Sequence, residues 1–256
     1  MAKIENISIG RKIKSFIPGK IKKFVLSFFF PIVGKIIKAT KTNSNLFGGK
    51  FDYDLVSDVE AARIFLGIWE STEIGFSKRF AQTDTIIELG SSVGVTLGVL
   101  SNLRHNTKFI CVEASAINFK KLSRLQTQLS NNNVYSLINR AIAYGKDQVG
   151  FAATTTTGSK IDESIEKSKN FVPTITLTRL LEENQVNGKY TLITDIEGAE
   201  SEIFFKDETA LMNCVRIIAE LEETPSYSIE AQIGKLISVG FSITESYRNV
   251  FVFSRV

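Results

Sequence analysis

Residues 86–94 read IIELGSSVG, an apolar run that closes on Glu88 and is followed by two glycines, Gly90 and Gly94. The chain then resumes as VTLGVLSNL, 95–103. Apolar run, glycine turn and apolar-periodic stretch predict a buried strand, a tight turn and a helix. The same alternation continues downstream. KFICVEA (108–114), VYSLINRAIA (134–143), YTLITDI (190–196) and CVRIIAELE (214–222) read as strands. INFKKLSRLQTQLS (117–130), TLTRLLEEN (176–184), EGAESEIFF (197–205) and SIEAQIGKLISVG (228–240) read as helices between them. FSITESY and VFVFSRV close the chain as a hairpin turning at Arg248–Asn249, so the last strand runs antiparallel. The expected fold is α/β, a mostly parallel sheet with helices on both faces. Upstream, 58–80 has helical spacing for one or two helices, 42–57 reads as a linker, and the polar stretch 153–170 reads as a loop.

Charge is unevenly placed. Residues 1–41 hold ten Lys or Arg against one acid, Glu5, a balance of +9; the rest holds 21 basic and 26 acidic residues, −5, and the two parts give the chain's +4. The basic character belongs to one end and not to the fold, which argues against a nucleic-acid-binding surface on the main domain. Cys111 and Cys214 each lie in an apolar run and are expected to be reduced core residues, placing the chain in a reducing compartment, the cytoplasm. With His105 the single histidine and no CxxC, no metal site is expected.

The expected organisation is a basic, hydrophobic extension over 1–41, a helical cap or linker over 42–83, and the α/β domain over 84–256. The longest uncharged run of the extension, Phe24 to Gly34, is too short to span a bilayer, which takes about 20 residues. Pro31 is expected to interrupt a helix there. Two accounts stay open. In one the segment lies in the membrane interface, with Phe28–Phe29–Phe30 dipping in and lysines meeting anionic lipid at the inner membrane face. In the other the same phenylalanines pack against protein.

In sheets of this kind ligands bind at the carboxyl ends of the strands, and Glu88, Glu113, Asp195 and Glu220 all fall at or near such ends. A dinucleotide fingerprint needs glycine at 92 and 95, where this chain has Ser92 and Val95; a P-loop needs a lysine after the turn, where it has Val95 and Thr96. The acids also disfavour phosphate. A ligand with cationic groups and a ribose fits better, and S-adenosylmethionine is one. Gly90 and Gly94 lack a Cβ and are expected to let the backbone approach it. Glu113, 23 residues past Gly90, is placed to accept hydrogen bonds from both ribose hydroxyls.

IIELGSSVGVTLGVLS, FICVEASAINFKKLSRL, NRAIAYG, VPTITLTRLLEE and above all YTLITDIEGAESEIF together resemble the FkbM family of S-adenosylmethionine-dependent methyltransferases, over roughly residues 58–247. The resemblance implies the Rossmann-like class I methyltransferase fold, a seven-stranded sheet with an antiparallel last strand. It implies O-methylation of a saccharide or similar polyhydroxy small molecule, free or lipid-linked. The cofactor candidates are Glu88, Gly90, Ser91, Ser92 and Gly94 around the turn, with Glu113, Ala141 and Asp195. Asp195 is the first candidate for the base that takes the hydroxyl proton, with Glu197 and Glu220 as alternatives. The family covers its active site with the region that here holds Trp69, Glu70 and Glu73, and Thr154–Thr157 is a candidate lid segment. Two departures stand out. Ser91–Ser92 replaces the family's Ala-Asn, and Thr194 replaces the lysine before the DIEGAE acid. They keep a second reading open, a non-catalytic module of the same fold that docks through its basic end.

Overall fold

The computed structural model describes residues 19–45, 48–129, 131–152, 160–162 and 171–255. The chain divides into two compact units between Ser71 and Thr72.

The first unit is built on α1 (Gly19–Ala39) and α2 (Asp58–Phe65). Helix α1 runs through Pro31 instead of breaking there; a proline removes only one backbone hydrogen bond, and the turns on either side hold. The helices cross closely at Gly34, where a Cβ would sit 1.8 Å from the Asp58 carbonyl oxygen. Helix α2 starts at a capping box, with the Glu60 N–H donating to Ser57 Oγ (3.3 Å) and the Ser57 N–H to Glu60 Oε2 (2.7 Å). Lys38 joins the two helices through Asp58 (2.9 Å). The stretch read as a linker is packed structure. Ser44 bridges Lys50, and Phe51 and Tyr53 are buried edge to face, 5.5 Å apart. Its Asn and Gly residues make a tight turn, with Gly48 at φ +86°, and not a tether.

The second unit opens with α3 (Ser71–Phe80) and a seven-stranded sheet. In chain order its strands are β1 (Thr85–Leu89), β2 (Lys108–Val112), β3 (Val134–Ile138), then, after a small second sheet, β8 (Tyr190–Thr194), β9 (Cys214–Glu220), β10 (Phe241–Tyr247) and β11 (Val250–Arg255). The spatial order is β10-β11-β9-β8-β1-β2-β3. Strand β11 pairs antiparallel with both neighbours and the other pairings are parallel. This is the expected mostly parallel sheet with an antiparallel last strand. Helices α4 (Val95–Leu103), α5 (Ala116–Gln126), α6 (Leu177–Glu183), α7 (Glu200–Lys206) and α8 (Ile229–Ser238) complete the unit. The two apolar faces of the sheet bury separate clusters. Leu192 and Ile217 lie in one, and Ile193, Ile218 and Phe76 in the other. Both cysteines are buried free thiols, as expected.

One element differs from the sequence reading. The single strand expected over 134–143 stops at Ile138, and Ala141–Ile142 (β4) pairs instead with β7 (Phe171–Ile175). With β5 (Gln148–Ala152) and β6 (Lys160–Asp162) these form a four-stranded sheet. The polar composition of 153–170 carries no strand period, so β6 was not legible. Thr154–Thr157 lie outside the described residues.

Candidate functional site

Strand order reverses at β1, which has β2 on one side and β8 on the other. Such a switch point opens a crevice at the carboxyl ends of the strands, and the glycine turn stands there. Gly90 and Ser91 both donate their N–H to the Val112 carbonyl at the end of β2 (2.9 and 3.0 Å). Gly90 (φ +83°) and Gly94 (φ +86°) are left-handed, the region glycine enters without penalty. Their missing Cβ atoms answer to the protein itself. At Gly90 a Cβ would stand 2.0 Å from the Asp195 carbonyl oxygen, and at Gly94 within 2.8 Å of Leu122 and Leu125. Backbone from the loop after β8 and side chains of α5 fill that space. Ser92 is also left-handed, at φ +47°. That region is sparsely populated by residues other than glycine, asparagine and aspartate, so the turn itself holds Ser92 there.

Glu113 holds this turn. Its carboxylate is buried at the end of β2, with Oε2 accepting the Ser92 N–H (2.8 Å) and Oε1 the Ser115 N–H (2.7 Å). Burial raises its pKa against those two hydrogen bonds, which lower it. Ala141 is buried in the small cluster against which Ala114 packs, so it sits beside the end of β2. Ser91 is buried and donates from Oγ to the Glu88 carbonyl (3.2 Å). Glu88 is buried inside the strand, and the Cys111 thiol donates to its Oε2 (3.6 Å). Burial, then the Glu88 charge, push that thiol well up.

The acids on the other side of the switch point converge. Ile193 and Ile218 are paired across β8 and β9 and share one sheet face. Side chains alternate, so Asp195 and Glu220, two residues further on, return to that face as neighbours. Phe76 of α3 packs in the same cluster, and Glu73, one turn earlier, follows it. The carboxylate oxygens of Glu73, Asp195 and Glu220 lie within 4.8 Å of one another. Glu73 is buried and the other two are half-buried. Asn249, in the β10–β11 turn, donates from Nδ2 to Glu220 Oε1 (2.6 Å). Oxygens so spaced also match a divalent cation, though acidic groups of this kind are common without one. Glu197 stands outside the group, on a left-handed residue (φ +58°). Glu73 was passed over as a site residue in the sequence; one acid on an amphipathic helix looks like any solvated position, and only burial distinguishes it.

Glu200 is a buried clamp. Its carboxylate accepts the Ile196 and Gly198 N–H groups, the latter at 2.8 Å, and so fixes the turn that follows Asp195. Burial, the largest cause, pushes its pKa up to about 7. The native state therefore binds this proton where the unfolded chain, titrating near the ordinary value of about 4.3, has released it. Stability is expected to be fully present below about pH 4 and to fall by on the order of 3 kcal/mol as pH rises to about 7. Denaturant unfolding at pH 5 and pH 8 checks this, because Glu200→Gln should remove most of the difference. Thr194 is buried with no hydrogen-bond partner for Oγ1. Trp69 is buried in the first unit, under the Arg63 guanidinium at 5.2 Å. His105 is exposed.

No protein-family model matches the chain, and no curated protein matches it. Similar solved structures do exist. The N-terminal domain of EvdMO1 with SAH bound is 11% identical at a TM-score of 0.40, over 72% of this chain and 79% of that one. Aeropyrum pernix fibrillarin with natively bound S-adenosyl-L-methionine is 13% identical at 0.41, over 69% and 67%. Magnesium protoporphyrin IX methyltransferase from Synechocystis PCC 6803 with bound SAM is 14% identical at 0.43, over 92% and 97%. Likenesses this distant carry no weight of their own; strand order and the placement of the carboxylates do.

Proposed function

We propose that the chain is an S-adenosylmethionine-dependent O-methyltransferase of the FkbM type, acting on a hydroxyl of a saccharide or similar polyhydroxy acceptor. The observation that carries this reading is Glu113, a buried acid latched over a glycine turn at the switch point. A carboxylate has about four lone-pair sites, and the two backbone N–H donors use two of them. One further site on each oxygen suits the paired hydroxyls of a ribose. Glu88, Gly90, Ser91, Ser92, Gly94 and Ala141 shape the turn and its surroundings.

S-adenosylmethionine, when bound, supplies an electrophilic methyl group on a sulfonium. The chain's part is placement and proton removal. In that transfer Asp195 would accept the proton that the acceptor hydroxyl loses on methylation. Glu220 is oriented by Asn249, and with Glu73 it accepts hydrogen bonds from neighbouring hydroxyls of the acceptor. Three carboxylates this close repel one another, and a ligand rich in O–H donors relieves that. This supports a polyhydroxy acceptor over an apolar one.

The test is transfer of labelled methyl from S-adenosylmethionine to a panel of nucleotide sugars, lipid-linked saccharides and free glycans, with chelator and with added Mg²⁺. Label in a glycan ether is the expected result; label in none of them, from protein that binds the cofactor, removes the saccharide reading. Glu113→Ala gives a second check. Hydrogen bonds to a charged group contribute about 1.5–3 kcal/mol, so affinity for the demethylated product should fall about 10- to 100-fold. Unchanged affinity in a folded variant means that Glu113 only ties the turn.

A further inference from the structure

Helix α1 has two apolar faces. Phe30, Gly34 and Ile37 are buried, and Gly34 meets α2 backbone to backbone. Phe28 (69% exposed), Phe29 (52%), Ile32 (44%) and Ile36 (57%) point elsewhere. At about 100° of rotation per residue, these four fall within one arc on the side opposite the buried three. Packing within the protein therefore accounts for one stripe and leaves the other in water. Of the three consecutive phenylalanines only Phe30 is buried. A continuous exposed apolar stripe of this kind marks an interaction surface.

We propose that this face of α1 is a membrane-docking surface that seats on an anionic lipid bilayer. Charge selects the occupant. Lys35 is exposed on the border of the stripe, and the segment it belongs to carries +9 over residues 1–41, with Arg11, Lys12, Lys14, Lys20, Lys22 and Lys23 just upstream in sequence. A second copy of the chain brings a second +9 into the contact and is repelled. An anionic surface attracts the same charge while the phenylalanines enter the headgroup boundary. Among the described residues no helix is long and apolar enough to cross a membrane, so the mode is interfacial. The inference stands on α1 alone, whether or not the chain transfers methyl groups.

The experiment uses the full chain carrying Phe28→Trp, mixed with vesicles of phosphatidylcholine brominated on its acyl chains, with and without phosphatidylserine. The expected result is quenching of the introduced indole, above the background of Trp69 in the parent, only when phosphatidylserine is present, and its loss at high salt. In sedimentation the combined substitution Phe28→Ser, Phe29→Ser, Ile32→Ser should lower vesicle binding by about tenfold or more. All three side chains are exposed, so the thermal transition should not move. Three results overturn the proposal: no quenching on phosphatidylserine vesicles, vesicle binding that survives the combined substitution, or a dimer in size-exclusion chromatography that the substitution dissociates while vesicle binding is absent.

Discussion

Asp195→Asn should slow methyl transfer by about 10²- to 10⁴-fold, the usual contribution of a positioned base, while affinity for the demethylated product stays within about twofold. The two properties separate because the exchange keeps the shape of the side chain. The loop after β8 is fixed by other groups: the Asp195 N–H donates to the Leu89 carbonyl (3.1 Å), and Glu200 clamps the next turn. Only the ability to accept a proton is lost. Single-turnover methylation and product titration on the same variant decide the matter. Turnover within a few-fold of the parent places the base elsewhere, and Glu220→Gln and Glu73→Gln then become the variants to compare, since both share the carboxylate group with Asp195.

Gly90→Ala should be the most damaging single methyl in the second unit. The added Cβ meets the Asp195 carbonyl oxygen at 2.0 Å, and the residue sits at φ +83°. A backbone oxygen cannot swing aside as a side chain can, so β1 and the loop after β8 must move apart. A cost on the order of 4 kcal/mol is expected, lowering Tm by about 10 °C. Gly145→Ala is the control. Its φ is +77°, yet a Cβ there meets nothing within 4 Å, so only the backbone cost of about 1 kcal/mol remains. Thermal melts of the two variants should differ accordingly. Equal shifts would show that strain in φ, and not the contact with Asp195, is what fixes glycine at 90.

The centre of the sheet was legible because β1, β2 and β8 are buried on both faces and therefore read as apolar runs bounded by turn residues. Strand β1 and helix α4 fall where IIELGSSVG and the stretch after it predict them. The small sheet was not legible. Ala141–Ile142 is too short for any period, and its partner Phe171–Ile175 lies between the stretch read as a loop and the helix that follows. For the site, the apolar strand pattern put Glu113, Asp195 and Glu220 at or near strand ends, but nothing linear connects Glu73 to Asp195 and Glu220 across more than a hundred residues. The reasons for individual residues were the least visible. Gly90 makes room for the backbone of Asp195, and Glu200 is the buried clamp of the adjacent turn. Both depend on which backbone passes beside them, which no local pattern records.

The most direct test is calorimetric titration of the full chain with S-adenosylhomocysteine. The account predicts a single site with Kd of about 1–100 μM, weakened in Glu113→Ala. No heat of binding at millimolar ligand, from protein whose thermal transition shows it folded, would contradict the account at its root and leave the chain as a module of this fold without its cofactor.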